Sequence, residues 1–343
     1  MLTLKTMKKL IVLVCVCCLA LSFAACGKLQ ISREIAKVND RLVTKAEFMY
    51  YLENVKQQML SESGATDSED FWKAEIDGVK ASDAAKNKAL EEMVRVEIAC
   101  IKAEEKGLSV PEADAKQIHA TVKSTDRDQK AQIDAVLDLT GLSANQLEDL
   151  LLKTTLANVF VNDLNTADPA LLTPSDAEIK AAYEQEYVHV KHILISNTKE
   201  AAEGEEVDAE AVKKEKKELA DSVLAKAKAG NNFDSLVKEY GEDPGMTESP
   251  EGYTFTKGTM VAEFEAASYA LAVGEISDLV ETSFGWHIIK KYALPTSGQE
   301  YDNAVSAIKS KLSSDKSNAI IDGYKSDMKI EIHQNVVDGI KVK

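Results

Sequence analysis

Two histidines set in short apolar runs constrain this chain more than any other feature of its sequence. The first stands in Val188-His189-Val190-Lys191-His192-Ile193-Leu194-Ile195, the second in Phe284-Gly285-Trp286-His287-Ile288-Ile289-Lys290. Both runs have the length and composition of buried strands. A lone histidine on such a strand is ordinarily a hydrogen-bonded core group. Here two occupy matching contexts, with Gly241-Glu242-Asp243-Pro244-Gly245 and Met260-Val261-Ala262-Glu263-Phe264 in order between them. His189 shares the strand of His192 at opposite parity, so it faces the other side. His119 and His333 have no matching context.

The chain opens with a leader. Lys5, Lys8 and Lys9 precede an apolar run from Leu10 to Phe23 and the small pair Ala24-Ala25. This is the pattern of a secretory signal over residues 1–25. The run is too short and wrongly flanked for a spanning helix. Cys26 follows at once, an arrangement that resembles the bacterial lipobox and implies a lipid on Cys26. The alternative is a plain leader followed by an incidental cysteine. Of the five cysteines, Cys15, Cys17 and Cys18 leave with the leader, and Cys100 is the single internal thiol. No disulfide framework is available, so the core must stabilise the fold. Cys100 lies in a helical pattern with Leu90, Met93, Val94, Ile98 and Ile101, as a packed side chain rather than a nucleophile does.

The formal net charge is −16, and it becomes more negative once the three leader lysines are gone. That balance argues against nucleic acid or anionic headgroups as partners and favours solubility beside sticky ones. A length of 343 residues predicts two or more domains. Ile35 to Val43 reads as two short strands about a turn at Asn39-Asp40. Thr44 then starts a helix, with Glu47 completing a capping box and Phe48, Tyr51, Leu52, Val55 and Met59 on one face. Ser61 to Asp70 reads as a loop. Trp72 and Ala84–Lys106, Pro111–Val136 and Ser143–Leu164 read as helix, with a break at Ala167-Asp168-Pro169. Thr173-Pro174-Ser175-Asp176 starts another helix, with an N-cap hydroxyl and proline in the first turn.

Past Ile195 the chain is acidic, from Glu200 to Glu210, and reads as a solvated loop. Val212, Leu219, Val223 and Ala227 mark a helix face that ends at Gly230. Further helices are predicted over Phe233–Tyr240 and Met260–Leu271, and strands over Asp278–Thr282 and Trp286–Tyr292. The tail is helical from Tyr301 to about Met328, and Lys329–Ile332 reads as a strand too small to fold alone.

Taken in order, the two histidine strands, Asp243, Met260 and Phe264 resemble the parvulin family of peptidyl-prolyl isomerases. The resemblance implies that His192 and His287 come together on adjacent central strands and that Thr282 joins them by a hydroxyl. It implies that Asp243 faces the prolyl amide, that Met260 and Phe264 seat the proline ring from one helix face, and that Phe255 extends that seat. Such catalysis needs no cofactor and no metal, because rotation about the prolyl bond breaks no covalent bond. The basic cluster by which some relatives read a phosphorylated residue is missing after Ile195, and Thr247–Tyr253 stands where relatives have a glycine-rich stretch.

The whole pattern is similar to the extracytoplasmic foldases of the PrsA type and their SurA-like relatives. It implies an α+β chain whose mostly helical, discontinuous chaperone domain holds an inserted small α/β domain with an antiparallel sheet flanked by helices. The expected segments are 1–25 (leader), 26–34 (anchored linker), 35–185 (helical domain), 186–294 (parvulin domain) and 298–343 (returning helix and strand). The expected partners are newly translocated, unfolded proteins with Xaa-Pro bonds, and a membrane reached through Cys26. A homodimer is left open. A second reading keeps the insert as a degenerate scaffold and leaves only holdase activity.

Overall fold

A computed structural model describes residues 34–76, 78–197 and 209–342. The leader, Cys26 and most of the acidic run after Ile195 lie outside the described residues. Packing divides the described residues into two compact units, one falling within Met1–Thr173 and Lys311–Lys343, the other within Pro174–Ser310.

The first unit begins with strands β1 (Glu34–Val38) and β2 (Arg41–Thr44), paired antiparallel across the Asn39-Asp40 turn. Asn39 adopts φ 50°, a left-handed position that asparagine tolerates better than most residues. Thr44 and Glu47 form the expected reciprocal cap on helix α1 (Lys45–Ser63). Phe48, Tyr51, Leu52, Val55 and Met59 are all buried, as the periodicity predicts. The stretch read as a loop from Ser61 is shorter, because α1 runs to Ser63 and helix α2 (Glu69–Lys73) begins under the cap of Ser68. A small hairpin, β3 (Glu75–Ile76) and β4 (Val79–Lys80), separates Trp72 from helix α3 (Ala81–Glu105).

The segment read as one helix from Pro111 to Val136 is two, α4 (Glu112–Val122) and α5 (Arg127–Thr140). Asp126 causes the break: its carboxylate accepts from the N–H groups of Asp128 and Gln129, both at 3.1 Å, and starts a new helix. Helix α6 (Ala144–Ala167) follows under a Ser143–Gln146 capping box and buries Leu147, Leu150, Leu151, Phe160 and Leu164. Cys100 is fully buried, donates to the Lys153 carbonyl at 3.2 Å, and has its thiol pushed up to about 12 by burial.

In the second unit, helix α7 (Asp176–Glu186) is capped by Ser175 with Glu178, so the N-cap hydroxyl is Ser175 and Pro174 lies before it rather than in the first turn. The unit is wider than 186–294 because Tyr183 of α7 packs on Tyr187 and Tyr301 and donates to the Pro295 carbonyl at 3.1 Å. Then come strand β5 (Tyr187–Ser196), helix α8 (Ala209–Lys228), helix α9 (Phe233–Tyr240) and a short helix α10 (Pro244–Glu248). Strand β6 (Tyr253–Thr256), helix α11 (Ala262–Ala270), strand β7 (Val280–Thr282) and strand β8 (Gly285–Tyr292) complete it. The sheet order is β6-β5-β8-β7, with every pairing antiparallel.

Side-chain alternation gives this sheet two faces. Ile193, Ile195, Trp286 and Ile288 pack with α8 and α9, where Ala220, Val223 and Ala227 point inward. Leu219, predicted for that face, is exposed instead, one residue off the buried stripe. Val188, Val190, Phe255 and Ile289 pack on the opposite face with Phe264 and Leu271.

Helix α12 (Gln299–Gly323) and strand β9 (Ile330–Ile332) close the chain, with a final short helix α13 (Gln334–Asp338). β9 pairs antiparallel with β1, so the small sheet of the first unit is ordered β2-β1-β9.

Candidate active site

Register brings the two histidines together. On β5 and β8, His192 lies opposite Ile289, and Leu194 lies opposite His287. His192 and His287 are therefore diagonal neighbours on one face of adjacent strands. Their rings stack at 5.2 Å between centroids and 17° between planes, with the two Nδ1 atoms 3.0 Å apart. His189, of opposite parity, bonds Thr254 at 2.9 Å away from this pair.

A chain of hydrogen bonds extends from the pair at both ends. His192 Nε2 lies 2.7 Å from Asp243 Oδ2, and the Tyr253 hydroxyl donates to the same oxygen at 2.7 Å. Gly245 N–H donates to Asp243 Oδ1 at 3.0 Å, because Asp243 is the N-cap of α10 with Pro244 in its first turn. At the other end, Thr282 Oγ1 lies 2.8 Å from His287 Nε2 and accepts from the Phe284 N–H at 3.1 Å. Partner logic orders the protons. The Asp243 carboxylate only accepts, so His192 donates to it from Nε2. With a single proton on His192, its Nδ1 accepts from the His287 Nδ1–H. His287 accepts at Nε2 from the Thr282 hydroxyl.

Electrostatics fit this order. The His192 hydrogen bond above all, with those of Tyr253 and Gly245, holds the Asp243 carboxyl well below the usual carboxylate range against its partial burial. Burial first, and then the neighbouring His192, press His287 down from 6.5 to about 4, against the pull of Asp243. Near neutral pH the site thus presents one carboxylate and a neutral His287.

The apolar residues form a floor behind the rings. Phe264 sets its ring edge-on to both histidines, with centroids 5.0 Å from His192 and 5.2 Å from His287. Phe255 lies 6.1 Å from Phe264, and both are buried. Met260 packs on the same cluster and is half-buried. It does not share a helix face with Phe264, since α11 begins only at Ala262 after the extended cap Val261. Glu265 reaches back to accept from the Gly258 N–H at 2.6 Å, which folds the residues before the helix into a turn. An opening of about 460 Å³ flanks Asp243 on the α9–α10 side, lined by Lys191, Asp234, Met246 and Glu251 rather than by the apolar floor.

The structure thus gathers His192, Asp243, His287, Thr282, Phe264, Phe255 and Met260, while Cys26 lies outside the described residues. Sequence reading missed Tyr253. Its place on β6 opposite Val190, one strand from His192 and on the same face, is a matter of register that no local pattern carries.

Comparison with known proteins follows the same division. Residues 178–293 match the PPIC-type PPIASE domain family, and residues 1–159 match the SurA-like N-terminal domain family. Among curated proteins, "Foldase protein PrsA" of Caldanaerobacter subterraneus is 27% identical over 311 residues, covering 90% of this chain and 89% of that protein. "Foldase protein PrsA 4" of Bacillus cereus is 34% identical over 184 residues, covering 51% of this chain and 57% of that protein. Among solved structures, peptidylprolyl isomerase PrsA of Bacillus anthracis aligns over 71% of this chain and 99% of its own, at 22% identity and a TM-score of 0.28. The parvulin of Nitrosopumilus maritimus aligns over 32% of this chain and 97% of its own, at 32% identity and a TM-score of 0.24.

The inserted unit is a parvulin-type peptidyl-prolyl isomerase domain. The chain that carries it belongs to the PrsA-type foldases.

Proposed function

We propose that this foldase binds newly translocated, unfolded chains through its helical unit and rotates their Xaa-Pro bonds at the histidine pair. The uncatalysed rotation faces a barrier of about 18–20 kcal/mol. A catalyst need only bind the twisted amide better than either planar form. The observation that carries the reading is the closed hydrogen-bond chain from Phe284 N–H to Asp243. It fixes a carboxylate and two imidazoles with little freedom to reorient, and such preorganised groups stabilise a changed charge distribution without reorganising. His192, Asp243 and His287 take the catalytic roles, and Thr282 orients His287. Met260 offers a half-open apolar edge for the proline ring, backed by Phe264 and Phe255.

A further part of the proposal concerns location. The leader and Cys26 support a lipid anchor on the outer face of a bacterial cytoplasmic membrane. Cys26→Ala should release the chain from membranes or block its processing, and membrane fractionation reads either result.

The test of the main reading is cis/trans exchange of a short Xaa-Pro peptide by the full chain. Asp243→Ala should lower the exchange rate by about tenfold or more, the scale expected when one charged group is removed beside a transition state. Suppression of client aggregation should stay nearly intact. A folded wild-type chain with no acceleration over the uncatalysed rate would leave the holdase reading in place of this one. Joint loss of both activities in a folded Asp243→Ala chain would refute the division of labour.

A further inference from the structure

Tyr253 enters the site from a segment with no obvious chemistry. It sits on β6 opposite Val190, so its side chain projects on the face that carries His192. Its ring lies 5.7 Å from the His192 ring at 44°, and its hydroxyl meets Asp243 Oδ2 at 2.7 Å. That oxygen also takes His192 Nε2 at 2.7 Å, while Oδ1 takes the Gly245 N–H at 3.0 Å. A carboxylate offers about four acceptor positions. Oδ2 is filled by its two donors, and the position left open is on Oδ1.

Gly245 makes this arrangement possible. A Cβ there would lie 2.1 Å from the Tyr253 hydroxyl oxygen and 3.4 Å from Asp243 Oδ1. Gly245 is not among the glycines of positive φ, so its backbone does not demand glycine. The space does.

We infer that Tyr253 is a positioning residue of the isomerase site: its phenol, admitted by Gly245, pins the Asp243 carboxylate against His192 and turns Oδ1 toward the substrate. The inference rests on the proposed roles of Asp243 and His192. It also gives the unusual Thr247–Tyr253 segment a task, since Gly252 (φ 108°) turns the chain into β6 just before the phenol is delivered. Other groups near the carboxylate are Lys191 on β5, His287 on β8, Glu248 on α10, Glu251 before β6, and Asp234 and Lys238 on α9. Lys191 is engaged with Asp234 at 3.1 Å, which leaves Tyr253 and His192 as the side chains that hold Oδ2.

The experiment compares the full-length wild-type chain with Tyr253→Phe, Gly245→Ala and the double variant. Tyr253→Phe keeps the ring and removes one donor. It should lower kcat about tenfold for an Xaa-Pro peptide, with KM changed less than about twofold, and raise the Asp243 titration midpoint by about one unit. Carbon-13 carboxyl shifts read that midpoint. Gly245→Ala should reproduce both effects, and the double variant should be no worse than the poorer single one. Wild-type kcat and an unmoved Asp243 midpoint in folded Tyr253→Phe would overturn the inference, as would fully multiplicative losses in the double variant. If the wild-type chain gives no acceleration, the functional reading fails. The carboxyl titration then decides by itself whether Tyr253 holds Asp243.

Discussion

His287 is where the site meets the proton. Its pKa of about 4 in the folded chain lies below the ordinary 6.5, because burial disfavours the charged ring. Between those values the unfolded chain binds a proton that the folded one refuses. Stability is therefore held above about pH 6.5 and falls as pH drops toward 4. At about 1.4 kcal/mol per pH unit the loss over this window approaches 3 kcal/mol. Urea midpoints at pH 7 and 4.5 should show this loss, and His287→Gln should flatten it. An equal slope in that variant would shift the acid sensitivity to another group. At this scale much of the site was legible. The parity rule alone separates His189 from His192, whereas Asp243 came only from the resemblance to the parvulins. The Tyr253–Asp243 bond was not legible, because the two residues meet through strand register and a missing Cβ at Gly245.

Among elements, the clearest dependence is on charge inside the helical unit. The Glu97 side chain on α3 is only 1% exposed and accepts from Arg41 Nε at 2.6 Å and Lys153 Nζ at 2.5 Å. Lys153 also holds Glu47 at 2.8 Å, so one network ties β2, α1, α3 and α6. Glu97→Gln should destabilise this unit by about 3 kcal/mol, at the low end for a broken buried pair. The low end is expected because Arg41 keeps Glu104 at 2.9 Å and Lys153 keeps Glu47. Urea unfolding followed by helix signal measures this, and a change under about 0.5 kcal/mol, typical of a surface substitution, would contradict it. Local rules predicted the elements best where a cap was reciprocal, as at Thr44–Glu47. They failed where a single polar residue outranked the apolar period. Asp126 split a predicted helix, and the Glu265 bond to Gly258 kept Met260 outside α11.

For the molecule as a whole, the return of the chain is the decisive topological fact. Asn39 N–H bonds the Lys329 carbonyl at 2.8 Å and His333 N–H bonds the Ile35 carbonyl at 2.9 Å, clamping β9 beside β1. Removing residues 329–343 should strip β1 of its outer partner and uncover Ile35, Ala36 and Val38, which are fully buried in the intact chain. Limited proteolysis should then cut the helical unit faster while exchange of a short Xaa-Pro peptide is retained. Loss of peptide exchange would show that the isomerase unit depends on the tail. The tail strand was legible as a strand; its partner was not, since nothing local links residues so far apart.

That clamp also sets a timetable. A chain made from its N-terminus exposes the unpaired edge of β1 for as long as it takes nearly three hundred further residues to emerge. An open edge is a template for pairing with other chains, and contacts of such separation form late. The isomerase unit, contiguous in sequence, is complete before β9 exists. This foldase therefore passes through a stage in which its catalytic part is finished while its helical part still lacks β9 and carries an exposed strand edge. During that stage it has the needs of a client.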